Sequence, residues 1–134
     1  MTAKKLIRVN QIMKTSFDIV DGMATISNAL TAMKNVENKC LIVNKRHDDD
    51  EFGMLLISDI ARKVLALDKS PERINVYEIM AKPVICVDPV MDIRYCARLF
   101  DRFDISRAPV VESGKIVGII SFTDLVLKGL SSVT

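Results

Sequence analysis

The sequence has no apolar run long enough to cross a membrane. Runs such as Gly118-Ile119-Ile120 are broken within a few residues, far short of the roughly 20 apolar residues that a membrane span needs. The opening residues, MTAKKLIRVNQIMK, also lack an apolar stretch followed by a cleavage site, the pattern typical of a signal peptide. We therefore expect a cytoplasmic protein with no membrane partner.

An excess of charge of one sign is also missing. The 134 residues include 19 Lys and Arg against 17 Asp and Glu, a formal net charge of +2, and the basic residues are spread along the chain. This argues against a nucleic-acid surface. Hydrophobic residues make up 49% of the chain and charged residues 27%, which is the composition of a globular chain about one ordinary domain long.

Residues that carry enzyme chemistry are scarce. The three cysteines, Cys40, Cys86 and Cys96, lack CxxC spacing and lie among apolar residues, which predicts buried free thiols in a reducing compartment. A cysteine nucleophile would need a histidine beside it, and the only histidine, His47, lies in an acidic segment. The phosphate-cradling patterns GxxxxGK[ST] and GxGxxG are absent. We expect no catalytic activity, and a bound nucleotide would be sensed rather than hydrolysed.

One acidic segment suggests a metal site. Residues 47–51, HDDDE, could hold a divalent cation through carboxylates and an imidazole. The segment lacks the alternation of acids with turn glycines that a calcium loop has. We therefore predict a solvated hairpin tip without a metal, which could contact a partner.

An internal repeat organises the rest of the chain. Residues 9–13, VNQIM, recur as residues 76–80, VYEIM, and an extended run ending in aspartate follows each copy. Apolar residues at helical spacing come next, then an apolar strand, a polar turn and a further strand. The last strands run into Ser58-Asp59 and Thr123-Asp124, residue types suited to an N-cap. Each copy is thus predicted as helix, strand, helix, strand, strand, helix.

The repeat predicts the fold. Ser70-Pro71 marks the boundary, which places repeat 1 at residues 1–69 and repeat 2 at residues 70–134. One copy alone has too little apolar core to be stable. We therefore predict an α/β protein in which two β-α-β-β-α repeats, each a small sheet packed by helices, form one compact pseudo-twofold module.

The order of these elements resembles a tandem pair of cystathionine-β-synthase (CBS) domains. The resemblance is carried by residues 78–80 (EIM), 105–111 (ISRAPVV) and 118–124 (GIISFTD), through their order, spacing and duplication. It implies a disc-like, homodimerising module with a cleft at each side of the interface between the copies. Such a module binds an adenine ligand, such as AMP, ADP, ATP or S-adenosylmethionine, and regulates a partner protein.

The resemblance points to a ribose-binding signature in the second copy. The family pattern of Gly, two apolar residues, Ser or Thr, two residues and Asp is matched by Gly118, Ser121 and Asp124. A carboxylate there can accept hydrogen bonds from both ribose hydroxyls, and the serine can donate to a nearby oxygen. The alternative is that Asp124 only caps a helix and Ser121 is an ordinary strand serine.

Further ligand positions follow from the same resemblance. Arg107 would bind the ligand phosphates through two parallel hydrogen bonds, unless it is a solvated surface cation. Ile93, Ile105 and Ser106 match positions that line the adenine. Asp88 stands where the family often has a threonine, and an acid at that position would repel a phosphate.

The first copy departs from the signature. It keeps Asp59 but has Leu56 in place of the hydroxyl residue, and leucine offers no hydrogen bond. Lys39, taken as the counterpart of Arg107, would supply a point charge, so that both basic residues converge on the cleft. We expect the second copy to form the main site and the first to be weaker, empty or used for an apolar base.

Two functional hypotheses remain. The first is a regulatory sensor that binds an adenine nucleotide in the cleft between the repeats, uses no catalytic cofactor and acts on a partner. The alternative is an unliganded interaction or dimerisation module with vestigial clefts. An enzymatic role survives only as a subunit that supports catalysis elsewhere.

Overall fold

The structure is a computed structural model, and it describes residues 5–131. The strands are β1 (Ile19–Val20), β2 (Cys40–Val43), β3 (Gly53–Leu56), β4 (Arg107–Glu112) and β5 (Lys115–Ser121). The α-helices are α1 (Ile26–Ala32), α2 (Ile57–Ile60), α3 (Ile93–Phe103) and α4 (Phe122–Asp124). Helices α2 and α4 continue as π-helical turns over Ala61–Leu65 and Leu125–Leu130, and short 3-10 turns span Val9–Gln11, Val36–Asn38 and Val76–Glu78. The predicted α/β class is confirmed, and the first repeat has the predicted β-α-β-β-α order. In the second repeat the first strand is reduced to a single bridge at Val87 before α3.

Within residues 5–131, no helix combines the length and the apolar character that crossing a membrane requires.

Two compact units make up the structure. Among the described residues, the first unit is Phe17–Val84, and the second unit combines residues 5–16 with residues 85–131. These units differ from the predicted repeats 1–69 and 70–134 because each opening 3-10 turn packs with the other repeat. The backbone N–H of Val9 donates to the carbonyl of Met91 at 2.9 Å, and that of Val76 donates to the carbonyl of Ala24 at 2.8 Å. Both valines are fully buried, so burial of apolar surface fixes each turn in its unit.

The first unit is built on a three-stranded sheet. Strand β1 runs parallel to β2, with Ile19 opposite Ile42, and β2 runs antiparallel to β3, with Cys40 opposite Leu56. A parallel pair needs a crossover connection, which α1 supplies. The core of this unit consists of Ile26, Ala29, Leu41, Val43, Leu55, Val64, Val76 and Ile79.

The second unit is built on the β4–β5 hairpin. Its turn residues, Ser113 and Gly114, have φ angles of 52° and 77°, the positive values that a tight two-residue hairpin turn requires. The Ser-Gly turn predicted from the sequence is confirmed. Val87 forms a single parallel bridge with Val110. The core of this unit consists of Ile7, Val9, Ile12, Val87, Ile93, Cys96, Phe100, Ala108, Val110, Ile120 and Leu125.

Gly118 allows a close approach of two segments in the second unit. A Cβ atom built there would lie 2.6 Å from Met13 Sδ and 2.7 Å from the Lys14 carbonyl oxygen. Lys14 and Ile119 exchange two backbone hydrogen bonds of 2.9 Å beside this contact. The glycine of the signature is therefore needed for packing.

The three thiols differ in exposure. Cys40 and Cys96 are buried, whereas Cys86 is exposed, which corrects the expectation that all three are buried. Cys86 precedes Val87, whose side chain faces the core, and side chains alternate between the two sides of an extended segment. Burial raises the pKa of Cys96 to about 11.

Candidate functional site

The register of the β4–β5 hairpin brings predicted site residues together. Arg107, the first residue of β4, lies opposite Ser121, the last residue of β5. The backbone N–H of Phe122 donates to the carbonyl oxygen of Ser106 at 2.9 Å. The amino end of β4 therefore meets the start of α4, and we call the group of Ser106, Arg107, Ser121 and Asp124 the β5–α4 corner.

Ser121 and Asp124 form one capped helix start. The Ser121 hydroxyl accepts a hydrogen bond from the Asp124 backbone N–H at 3.2 Å and donates one to Asp124 Oδ2 at 3.0 Å. Ser121 is thus the N-cap, and Asp124 is the third residue of the helix. This corrects the cap predicted at Thr123-Asp124. The physical reason is that an N-cap side chain bonds an N–H two or three residues later, and Ser121 has that spacing.

Asp124 is a buried carboxylate. Its relative exposure is 2%, and its Oδ1 lies 3.5 Å from Nζ of Lys128, one helical turn later. The amide groups of a helix start favour negative charge. A carboxylate offers about four acceptor positions on its two oxygens. The serine and the lysine hold Asp124 in place, and its two oxygens retain acceptor positions beyond these two contacts.

Ile105 and Phe122 add apolar surface beside the corner. Ile105 is half-buried and packs against the core of the second unit. Phe122 is 40% exposed, and its ring meets that of the buried Phe100 edge to face at 5.2 Å between centroids. The sequence reasoning missed Phe122, although its position between Ser121 and Asp124 was a usable signal.

Asp88 and Ile93, both predicted for the second-copy site, do not lie at the β5–α4 corner. Val87 pairs with Val110, so Asp88 follows toward the carboxyl end of β4, whereas Arg107 begins that strand. At about 3.3 Å per residue, the two ends of β4 are more than roughly 10 Å apart. Asp88 is exposed and accepts a turn hydrogen bond from the Val90 N–H at 2.9 Å. Ile93 starts α3 and is 5% exposed, with its side chain in the core.

The strand registers also correct one predicted correspondence. Val43 pairs with Gly53 in the first unit as Val110 pairs with Gly118 in the second. Counting back along both strands makes Cys40, and not Lys39, the counterpart of Arg107. The carbonyl of Lys39 accepts from the Ile57 N–H at 3.0 Å, as the carbonyl of Ser106 does in the second unit. A shift of one residue turns a strand side chain to the other face, so Lys39 and Arg107 are not equivalent.

The first unit has a carboxylate without the hydroxyl. Asp59 is 9% exposed, and its Oδ1 accepts a hydrogen bond from Arg62 at 3.0 Å. Leu56 occupies the N-cap of α2 and provides no capping hydrogen bond. Arg62, which the sequence reasoning also missed, is signalled by its spacing of three residues from Asp59 on a helix. Each acid thus has a basic partner on its helix, Arg62 or Lys128, and the two units differ in the hydroxyl that orients Asp124.

The fold and the corner define a two-repeat α/β protein with a hydroxyl–carboxylate pair at one strand-to-helix junction. The sequence profile of the CBS domain matches residues 76–130. The solved hexameric CBS-CP12 protein from bloom-forming cyanobacteria shares 38% identity, with a TM-score of 0.87 over 92% of this chain and 72% of that chain. The chain belongs to the CBS domain family and is a CBS domain pair, so the predicted resemblance is confirmed.

Two other similar proteins define how far the likeness extends. An uncharacterised protein of Methanopyrus kandleri is 30% identical over 112 residues, which are 81% of this chain and 56% of the relative. The chain thus spans little more than half of that relative's length. The CBS domain pair of a protein solved in complex with 5′-methylthioadenosine and S-adenosyl-L-methionine is 23% identical, with a TM-score of 0.72 over 89% of this chain and 96% of that chain. This second likeness is one of fold.

Proposed function

We propose that this CBS domain pair is a non-catalytic regulatory module that binds an adenine nucleotide at the β5–α4 corner and thereby regulates a partner protein. The observation that carries the proposal is the Asp124 carboxylate, 2% exposed and hydrogen-bonded by Ser121 at 3.0 Å. A carboxylate fixed at a helix start can accept hydrogen bonds from both hydroxyls of a ribose. The neighbour solved with two adenosine-containing ligands supports the same class of ligand.

A phosphorylated ligand is favoured over a nucleoside without phosphate. Arg107 lies opposite Ser121 across the hairpin, and a guanidinium binds phosphate through two parallel hydrogen bonds. Ile105, Ser106 and Phe122 provide the adjoining surface for the base. AMP, ADP and ATP therefore rank above S-adenosylmethionine, which has no phosphate.

The first unit is expected to bind the ligand weakly or not at all. Asp59 is paired with Arg62 at 3.0 Å, and Leu56 offers no hydrogen bond. The Asp59 carboxylate therefore has an arginine partner but no hydroxyl at the N-cap to orient it, as Ser121 orients Asp124. Lys39 is exposed and can offer charge but no bidentate contact.

Regulation requires a ligand that binds one conformational state more tightly than another. A ligand shifts an equilibrium only by its difference in affinity for the two states. We propose that the partner senses the shift in this equilibrium when a nucleotide occupies the β5–α4 corner.

The ligand is tested by calorimetric titration and thermal unfolding with AMP, ADP, ATP and S-adenosylmethionine. A ligand at a hundred times its Kd adds about 2.7 kcal/mol to the free energy of unfolding, so the Tm should rise by several degrees. Asp124→Asn, which keeps the shape and removes the charge, should abolish the rise. Asp59→Asn, the matched change in the first unit, should leave it intact.

Two results would contradict the nucleotide proposal. One is a lack of binding by all four compounds at millimolar concentration, which would favour the unliganded dimerisation module. The other is unchanged nucleotide binding by Asp124→Asn.

Self-association is the second part of the proposed function. Leu127 and Leu130, in the π-helical turn after α4, are 71% and 55% exposed, an apolar surface of the kind that marks an interface. The hexameric relative supports assembly of copies. Light scattering after size exclusion should give a homodimer, and Leu127→Lys should give the mass of a single chain. Val36→Lys, at another exposed apolar position (65% exposed), is the control, and a wild-type protein that is monomeric at every concentration would refute the dimer.

A further inference from the structure

A cavity of about 420 Å³ lies in the first unit at the carboxyl ends of β1 and β2. Its size falls within the range of about 300–1,000 Å³ that is usual for small-molecule sites. It is lined by Gly22, Met23, Val43, Arg46, Tyr77, Met80 and Lys82. In open α/β sheets, ligands commonly bind at the carboxyl ends of parallel strands, and β1 and β2 are the parallel pair of this unit.

The cavity is separate from the candidate nucleotide positions. Within the first unit, Asp59 follows β3, whose last residue, Leu56, pairs with Cys40 at the amino end of β2. Gly22 and Arg46 lie beyond the opposite end of β1 and β2. The length of β2 therefore separates this cavity from Asp59, and the β5–α4 corner belongs to the other unit.

One wall of the cavity is apolar and partly aromatic. Tyr77 is 50% exposed and Met23 is 62% exposed, so both present surface that a ligand can cover. The backbone N–H of Tyr77 donates to the carbonyl of Gly22 at 2.9 Å, which holds the aromatic residue beside the end of β1. Met80 and Val43 complete this wall.

Two basic side chains, Lys82 and Arg46, also line the cavity, and both pair with Asp50. Lys82 Nζ donates to Asp50 Oδ2 at 2.8 Å, and the same oxygen accepts the Arg46 backbone N–H at 2.9 Å. These hydrogen bonds hold the pKa of Asp50 well below its ordinary value. The anionic Asp50 therefore anchors the loop after β2. The Arg46 side chain lines the cavity, is 72% exposed and has its Nε 4.0 Å from the same Asp50 oxygen.

An adjoining cavity of about 360 Å³ extends the same surface. Arg46 and Met23 line both cavities. Lys45 and Asn44 line the second one, whose acidic lining residue, Asp21, accepts the Met23 N–H at 2.8 Å. Among the described residues that line the two cavities, basic side chains thus outnumber acidic ones, and Arg46 stands where the two cavities meet.

We propose that this pocket is a second ligand site, which binds a small aromatic anion. The ring of the ligand lies against Tyr77, Met23 and Met80, and its carboxylate or phosphate pairs with the Arg46 guanidinium. An arginine fork matches either oxyanion through two parallel hydrogen bonds. The site does not depend on nucleotide binding at Asp124.

The proposal is tested by amide NMR titration of the full chain with phenyl phosphate and benzoate. Either anion should cause saturable shifts of the Gly22, Met23 and Tyr77 amides. Phenol, which lacks the anion, should bind at least about tenfold more weakly, because it loses the hydrogen bonds to a charged group. Inorganic phosphate, which lacks the ring, should bind more weakly because it covers no apolar surface of Tyr77, Met23 and Met80. The ratio for phenyl phosphate and benzoate identifies which oxyanion the pocket prefers.

Variants separate this pocket from other anion sites. Arg46→Gln should weaken binding of the preferred anion by about tenfold or more, and Tyr77→Ala should weaken it several-fold. Lys115→Gln, at an exposed lysine of the β4–β5 hairpin, and Asp124→Asn should leave it unchanged. Absence of saturable shifts at millimolar concentration, unchanged affinity in Arg46→Gln, or shifts that map to residues 121–124 would each overturn the proposal.

Discussion

The Ser121 hydroxyl both accepts the backbone N–H of Asp124 and donates to its carboxylate, at 3.2 Å and 3.0 Å. The two residues that match the ribose signature are therefore one local structure, in which the hydroxyl caps the helix and fixes the acid. Capping a helix and binding a ligand are therefore compatible roles for this pair. The hydrogen bonds that cap the start of α4 also hold the buried carboxylate of Asp124, the last residue of α4, in one orientation.

The cap makes a prediction about stability. Ser121→Ala removes the hydroxyl and should lower the free energy of unfolding by about 1 kcal/mol, a typical cost of losing an N-cap. Ser121→Thr keeps a hydroxyl and should recover most of that loss. Denaturant unfolding monitored by circular dichroism measures both. The exposed Thr123→Ala should change stability by less than about 0.5 kcal/mol, and an equal loss in Thr123→Ala would contradict the cap assignment.

Two glycines make a matched pair for a packing test. Gly118→Ala would place a methyl group 2.6 Å from Met13 Sδ and 2.7 Å from the Lys14 carbonyl, and we expect a loss of about 1–3 kcal/mol from overpacking. Gly22→Ala meets Val43 Cγ1 at 3.4 Å and Tyr77 Cβ at 3.6 Å, which are ordinary contacts. It should be neutral or slightly stabilising, because alanine restricts the unfolded chain. Urea unfolding should give a lower midpoint for Gly118→Ala than for Gly22→Ala. Similar midpoints would refute the close approach at Gly118.

Asp50 makes stability depend on pH in the acid range. The hydrogen bond from Lys82, followed by that from the Arg46 backbone, holds the pKa of Asp50 below its ordinary value of 3.8. A lowered pKa in the folded state means stabilisation that is complete above the unfolded pKa and is lost as the pH falls below it. Between about pH 5 and pH 2 the wild type should therefore lose more stability than Asp50→Asn. Thermal unfolding across this range tests it, with Asp49→Asn, at the exposed neighbour, expected to follow the wild type.

The thiols should react at different rates. Cys86 is exposed, whereas Cys40 and Cys96 are buried, and burial raises the pKa of Cys96 to about 11. Since the thiolate is the reactive form, a disulfide reagent at pH 8 should label Cys86 rapidly and label the other two only in denaturant. Cys86→Ser should remove the rapid phase. Rapid labelling of Cys96 in the folded protein would be inconsistent with its burial.

Much of the fold could be predicted because the chain repeats short-range patterns. Apolar residues at helical spacing predicted α3, and three of its buried residues, Ile93, Cys96 and Phe100, lie at the expected positions. The Ser113-Gly114 turn was recognisable because few residue types tolerate its positive φ angles. Helix periodicity and turn residues involve positions only a few residues apart, so they can be read from the sequence without knowing the tertiary structure.

The predicted site residues that lie together belong to one helix start or to the hairpin that leads into it. Ser121 and Asp124 are three residues apart and form one helix start, and Ser106 and Arg107 reach them through the hairpin. Asp88 was assigned to the same ligand by resemblance, but the parallel bridge of Val87 to Val110 places it at the far end of β4. Strand direction and register determine this, and neither is visible in a short motif.

The sequence by itself determined the duplicated β-α-β-β-α plan, the membership of the CBS domain family and the loss of the hydroxyl at Leu56. These features depend on residue types and spacing within each copy. Tertiary structure alone decided that each opening turn packs with the other repeat, that Cys40 corresponds to Arg107, and that Arg46, Tyr77 and Lys82 line one cavity. The reason is that these relationships depend on burial and strand register between segments far apart in the chain, where many pairings satisfy the same local pattern.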